Sequence, residues 1–179
     1  MKSKEFTKQF LFQIQPGWKI IDVGAGNGHF SRLFVERGAI VTAIEPSSKI
    51  AEEESIQVIR TNVEDFIRTD VGKYDAVFIR NVIQFLSKDW VYRALFPWID
   101  THLVVNGLIG VETFFKEPSP PFENSIKSLY GLKELADEFP GWQILLKDEY
   151  EHYDSDMRGK KRLFYATDLI MRKVAPKEV

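Results

Sequence analysis

Gly24, Gly26 and Gly28 stand at two-residue spacing in the stretch IIDVGAGNGHF, residues 20–30. The run Lys19 to Val23 precedes them, and Phe30, Leu33 and Phe34 behind them share one face of an expected helix. Glycine between a strand and a helix permits a positive φ and lets a ligand approach bare backbone. The register is G-x-G-x-G, with His29 where the third glycine of the dinucleotide fingerprint would fall. No Gly-Lys-Ser/Thr ending follows, which counts against nucleoside triphosphate hydrolysis. Close packing of helix on sheet is the competing explanation of the same glycines.

Two further positions fall into step with this turn. Glu45, followed by Pro46, closes the next apolar run seventeen residues beyond Gly28. A carboxylate at the end of a second strand can accept both hydroxyl hydrogens of a ribose. A solvated carboxylate near a helix start is the plainer alternative. Asn62 and Val63 follow a third run at 56–59. The Asn62 amide offers donor and acceptor to a purine edge, and Val63 offers a backbone N–H and an apolar face. Asn62 taken alone fits a turn equally well. Together these positions describe a nucleoside pocket laid across three successive strand ends.

The elements that must position these residues alternate along the chain. Strands are expected at 19–23, 40–45, 56–59, 74–79 and 107–115. An amphipathic N-terminal segment comes first, and helices are expected at 28–36, 49–54 and near 64–68. Further helices should run from the cap Ser87 to about His102, and from Ser128 to Phe139 before Pro140-Gly141. Lys116 to Phe122 holds three prolines and reads as irregular, making 116–127 the candidate lid or linker. Segments 142–153 and 161–171, joined by a polar turn, have the lengths of an antiparallel pair. Residues 177–179 read as a frayed tail. The sum is a single α/β domain, 1–179, with helices on both faces of the sheet.

Composition narrows the partners. The chain carries 24 basic and 26 acidic residues, a net charge of −2, so no nucleic-acid partner held by phosphate neutralisation is expected. No apolar stretch approaches a membrane span; the best, LVVNGLIGV at 103–111, is short, and no membrane partner is expected. The basic N-terminus has an apolar segment broken by Gln13 and Gln15 and no cleavage site after it, so a cytoplasmic location is expected. There is no cysteine, which removes disulfides, thiolate nucleophiles and Cys-ligated metals. His29, His102 and His152 are far apart in sequence, and no metal site is expected.

The run DVGAGNG, with Glu45, Asn62-Val63 and RNVIQFL after the fourth strand, resembles the class I S-adenosylmethionine-dependent methyltransferases. The resemblance covers residues 19–115 and implies S-adenosylmethionine as cofactor. It implies a three-layer, Rossmann-like fold, a mostly parallel sheet with an antiparallel C-terminal strand. It also implies roles: Asp22, Gly24, Ala25 and Gly26 at the methionine part, Glu45 at the ribose, and Asn62 and Val63 at the adenine. Arg80, mainly through its backbone, would line the methyl-donating side, and Asn27, Pro46, Asn81 and Val82 join the cofactor-binding set.

A narrower resemblance lies near the C-terminus. Glu151-His152, Gly159 and KRLFYATDLIMRK are similar to the closing segment of the tellurite-resistance methyltransferase family. The family histidine matches His152 and its Ala-Thr matches Ala166-Thr167, with Phe122, Leu135 and Trp142 following the pattern upstream. The family arginine beside the histidine is replaced by Tyr153, which cannot supply a bidentate guanidinium.

Methyl transfer needs an in-line nucleophile and exclusion of water, with no covalent enzyme intermediate. His152 is the candidate base or substrate anchor, and equally fits a satisfied histidine on a strand. Tyr153 and Arg162 complete the candidate catalytic set, with Arg158 and Tyr165 beside them and Gln84 as a candidate pocket residue. His102 reads as structural, and Trp90, Phe96 and Trp98 as helix packing. The expected function is methyl transfer to a small soluble acceptor, with tellurite or selenite as the specific candidate, in a monomer or homodimer. A neutral metabolite as acceptor, or a non-catalytic cofactor-binding protein, are the alternatives; a NAD oxidoreductase needs a glycine register this chain lacks.

Overall fold

Five runs of the N-terminal two thirds lie side by side as parallel strands in the computed structural model, which describes residues 3–47, 50, 51, 53–121, 126–155 and 159–175. They are β1 (Lys19–Val23), β2 (Ile40–Ile44), β3 (Ile56–Ile59), β4 (Tyr74–Arg80) and β5 (Leu103–Ser119). A C-terminal hairpin, β6 (Gln143–Ser155) and β7 (Lys161–Arg172), completes the sheet in the order β3-β2-β1-β4-β5-β7-β6. β7 runs antiparallel to both its neighbours. Helices α1 (Ser3–Gln13) and α2 (His29–Val35) cover one face. The other carries α3 (Val63–Thr69), α4 (Lys88–Trp90), α5 (Phe96–His102) and α6 (Leu132–Asp137). This is the expected three-layer, Rossmann-like arrangement.

Two cores follow from the two covered faces, because successive strand residues point opposite ways. Phe78 of β4 packs its ring on Phe6, Phe10 and Phe34 at centroid distances of 5.5, 4.9 and 5.1 Å. Val77 and Ile79, its neighbours in sequence, join the opposite core with Phe66, Leu95 and Ile99. The strand order reverses direction between β1 and β4, and that reversal opens a crevice beyond their carboxyl ends.

Several expected boundaries move, each for a packing reason. The described residues 50, 51, 53 and 54 are not helical; Ile50 is buried against the glycine turn, and Glu53 pairs with Ile56 as an isolated bridge. β5 runs on to Ser119, through the first residues of the expected linker, because β7 pairs with it as far as Ser119–Leu163. The helix expected from Ser128 begins only at Leu132. Ser128 is spent elsewhere: its backbone N–H donates to the Gln84 carbonyl (3.2 Å) and its hydroxyl to the Leu86 carbonyl (2.9 Å). Between α4 and α5 a π-helical turn, Val91–Leu95, precedes Pro97, whose missing N–H leaves the regular ladder one donor short. Ser87 holds the expected cap position without a side-chain capping bond. Phe122, Arg158 and the tail 177–179 lie outside the described residues.

Candidate active site

A cavity of about 700 Å³ lies across the carboxyl ends of β1, β2, β3 and β4. Asp22, Gly24, Ala25, Gly26 and Asn27 line it from the β1–α2 turn, and Glu45 and Pro46 from the end of β2. Asn62 and Val63 line it from the start of α3, and Arg80, Asn81 and Val82 from the end of β4. All twelve residues expected at a cofactor therefore border one space.

The glycines divide the work between them. A Cβ on Gly24 would stand 2.3 Å from the Val82 side chain, so this glycine lets the β1 turn and the segment after β4 touch. A Cβ on Gly26 would meet nothing within 4 Å, and its φ is +57°, so its bare backbone faces the opening. Gly24 is thus required by packing, and Gly26 leaves open space beside its backbone.

Three polar groups set the electrostatics of this half. Asp22 is buried, accepts from the Ser31 hydroxyl at 2.6 Å, and is still pushed up to about 6 by burial. Glu45 links two walls: its Oε1 accepts from Ser47 N–H (3.1 Å) and Oγ (2.8 Å), and its Oε2 from Gly26 N–H (3.3 Å). Asn62 caps α3, its Oδ1 accepting from Asp65 N–H at 2.7 Å while its Nδ2 donates to Asp65 Oδ2 at 2.9 Å. Its amide is thus held as the turn reading expects. Val63, at the first helical position, has a backbone N–H without an intrahelical acceptor.

The fourth wall is built differently. Arg80 Nε donates to Glu112 Oε1 at 2.8 Å, and its guanidinium lies 4.8 Å from the centroid of the Phe30 ring. Asn81 has a φ of 55°, donates its N–H to the Glu112 carbonyl (2.8 Å) and its Nδ2 to Glu112 Oε1 (3.2 Å). Through His29, Phe30 and Arg80 this cavity shares a wall with a second one of about 380 Å³ between α1 and α2. Thr7, Lys8, Leu11 and Arg37 line the second cavity.

His152, Tyr153 and Arg162 border neither cavity. His152 stacks on Phe164 with centroids 5.4 Å apart, and burial holds it below its usual value, so the imidazole is neutral near pH 7. Its Nδ1 is buried without a hydrogen-bond partner. Tyr153 is 76% exposed on the edge strand. Arg162 is buried and its guanidinium donates to the carbonyls of Pro120 and Pro121, the latter at 2.6 Å. Gln84 is fully buried, accepts from the Thr113 hydroxyl at 3.1 Å, and does not line the cavity; its neighbours Phe85 and Leu86 do. Among the described residues no group of three or more His, Asp or Glu could hold a metal ion, and no helix is long and apolar enough to cross a membrane.

The model of a methyltransferase-domain family matches residues 3–159. This chain belongs to that family. No curated protein matches this chain in sequence. Among solved structures it is similar to TehB from Haemophilus influenzae, with a TM-score of 0.74 and 18% identity over 93% of this chain and 61% of that one. The domain therefore spans less than two thirds of the TehB chain. It is also similar to 1,6-didemethyltoxoflavin-N1-methyltransferase of Burkholderia thailandensis, with a TM-score of 0.71 and 14% identity over 96% and 78% of the two chains. A third neighbour is magnesium protoporphyrin IX methyltransferase of Synechocystis, at 0.63 and 15% over 96% and 77%. These likenesses establish the class I methyltransferase fold.

Glu112, Ser31 and Phe30 are parts of the site that sequence reasoning did not assign to it. Glu112 left one signal, a lone acid inside the apolar strand LIGVETFF. Ser31 and Phe30 left none beyond their place on α2.

Proposed function

We propose that this chain is an S-adenosylmethionine-dependent methyltransferase acting on a small acceptor. One observation carries the reading: the open backbone at Gly26, the Glu45 carboxylate and the Asn62-Val63 turn converge on a single cavity. The fit is chemical as well as spatial. Glu45 already gathers N–H and O–H donors where ribose hydroxyls would compete for it, and Asp22 adds a buried carboxylate suited to a cationic ligand. S-adenosylmethionine, when bound, supplies a methyl group on a positively charged sulfur. The chain's own share is to hold the nucleoside with Glu45 and Val63, accept the methionine part on the Gly26 backbone, and exclude water with Phe30, Phe85 and Leu86.

The acceptor side is the cavity beneath α1, which meets the larger one at His29, Phe30 and Arg80. Lys8, Arg37 and Arg80 around it favour an anionic acceptor, and the likeness to TehB keeps a tellurite or selenite oxyanion as the specific candidate. Two observations favour a neutral acceptor as the second reading. Arg162 is committed to proline carbonyls, and the charge of Arg80 is matched by Glu112. The toxoflavin-precursor and porphyrin enzymes show that neighbours of this fold take organic acceptors.

Titration calorimetry with S-adenosylmethionine, S-adenosylhomocysteine and NAD tests the cofactor. Micromolar binding of the first two without competition by NAD is expected, and tighter NAD binding would overturn the reading. Turnover with tellurite, selenite and a panel of small phenols and thiols then separates the acceptors. Turnover with the oxyanions that falls in Lys8→Ala and Arg37→Ala supports the anionic acceptor at the cavity between α1 and α2, and turnover with neutral molecules alone rejects it. Failure of S-adenosylhomocysteine to accumulate with every acceptor tried would point to a binding protein.

A further inference from the structure

Glu112 on β5 and Asp168 on β7 are direct cross-strand partners, and they are 4% and 1% exposed. Ionised carboxyls of one sign, buried side by side in the sheet, carry a large desolvation and repulsion cost. Such a cost persists where the groups do something the apolar alternative could not.

What Glu112 does is visible in its bonds. Its Oε1 takes Arg80 Nε at 2.8 Å and Asn81 Nδ2 at 3.2 Å, and its carbonyl takes the Asn81 N–H at 2.8 Å. Asn81 is held at a φ of 55°, a left-handed conformation that a non-glycine residue keeps when its surroundings over-determine it. Asn81 and Arg80 both line the larger cavity, and Arg80 also walls the smaller one. Neither Glu112 nor Asp168 lines either cavity. Asp168 stands behind Glu112 with its Oδ1 buried and without a hydrogen-bond partner.

We propose that Glu112 is the positioning residue of the methyl-donating wall and that Asp168 is its partner. The two carboxyls share one negative charge, and that charge fixes the Arg80 guanidinium and the left-handed Asn81 backbone against the cofactor. The proposal rests on the cofactor reading above.

Its pH consequence follows from the surroundings of Asp168. Burial first, and then the Glu112 charge, push the Asp168 carboxyl up to about 8, so at neutral pH it keeps its proton. On β6, Asp148 and Tyr150 face it, and Arg80 lies beyond Glu112. α1 and α6 pack against β7 from the two faces. On α1 the Gln13 amide is engaged by Arg172, and Lys8 sits toward Arg80; on α6, Glu134 is paired with Lys88 and Lys133 with Asp137. Above the Asp168 transition a second negative charge would compete for Arg80 and loosen the wall.

The test is S-adenosylhomocysteine affinity, measured by calorimetry from about pH 6.5 to about pH 9.5 on the whole protein. Glu112→Gln keeps an acceptor for Asn81 and removes the charge for Arg80. It should bind about tenfold more weakly at neutral pH, with its far-UV circular dichroism unchanged. Wild-type affinity should fall by about tenfold through the Asp168 transition, and Asp168→Asn should remove that fall. The comparison also subtracts any limb that belongs to the ligand's own amine. Should Glu112→Gln fail to fold, the pH profile of Asp168→Asn decides alone. A Glu112→Gln affinity within twofold of wild type, or the same alkaline limb in Asp168→Asn, overturns the proposal. Wild type that binds no S-adenosylhomocysteine would instead fail the cofactor reading, and the positioning role with it.

Discussion

Along β1, β2 and β3 each residue that faces the large cavity lies within a few positions of its own strand end. Along β5, β7 and β6 the polar groups meet only through register, as Glu112 meets Asp168 from 56 residues away and Asp168 meets Asp148. The first half offers a ligand backbone and caps, which local sequence dictates. The second half offers side chains whose partners are other side chains. The first half borders the cavity directly, while the second reaches it only through the hold of Glu112 on Arg80 and Asn81.

The largest expected break of this division is Gly26→Val. A β-branched side chain at a φ of +57° costs about 1–3 kcal/mol of strain, yet its Cβ meets no protein atom, so the fold survives. Cofactor affinity should drop by more than about a hundredfold, because the side chain occupies ligand space. Calorimetry beside circular dichroism reads both, and normal binding would show that Gly26 is not the cradle.

Next in size is Glu45→Ala, expected to weaken S-adenosylhomocysteine binding by about 2–4 kcal/mol through loss of charge-assisted bonds to ribose. The melting temperature should change little, since the residue lies at the strand end and fills no core volume. Unchanged affinity would make Glu45 a mere anchor for Ser47.

Asp168→Asn addresses stability in the other half. The folded value of Asp168, about 8, lies above its ordinary value, so the folded state binds the proton more tightly than the unfolded one. Stability is therefore full at low pH and is lost as pH rises toward and through about 8. The asparagine variant lacks this loss and should exceed wild type at pH 9 by about 1–3 kcal/mol in urea melts. Parallel pH profiles for the two proteins would place the charge cost elsewhere.

The smallest effect concerns Asp22, raised to about 6 by burial. A cationic ligand favours the ionised form, so S-adenosylmethionine affinity should fall by up to about tenfold per pH unit below that value. Asp22→Asn should flatten the profile. A wild-type affinity that stays level down to pH 5 would exclude contact between Asp22 and the ligand's charge.

Most strands and the residues around the large cavity were legible because period, glycine spacing and strand ends are local signals. The glycine turn, Glu45 and Asn62-Val63 border the cavity where the sequence set them. Gln84 misled because an amide within an apolar run suits a pocket and a buried clamp equally well; Thr113, on another strand, selects the clamp. The proline-rich segment misled at its start, because pairing with β7 holds residues 116–119 extended whatever their propensity. The helix expected from Ser128 shortened because Gln84 and Leu86 offered its first residues competing acceptors.

Sequence alone determined the alternation of strand and helix, the order of the motifs that border the large cavity and the chemistry each strand end can offer. Those are properties of neighbouring residues, fixed by backbone sterics and hydrophobic period. Tertiary structure alone decided that Arg162 clamps prolines, that Tyr153 faces solvent, and that Glu112 and Asp168 stand together behind Arg80 and Asn81. Such pairings depend on register between distant strands, and a carboxyl's burial and charge state exist only once those strands have met.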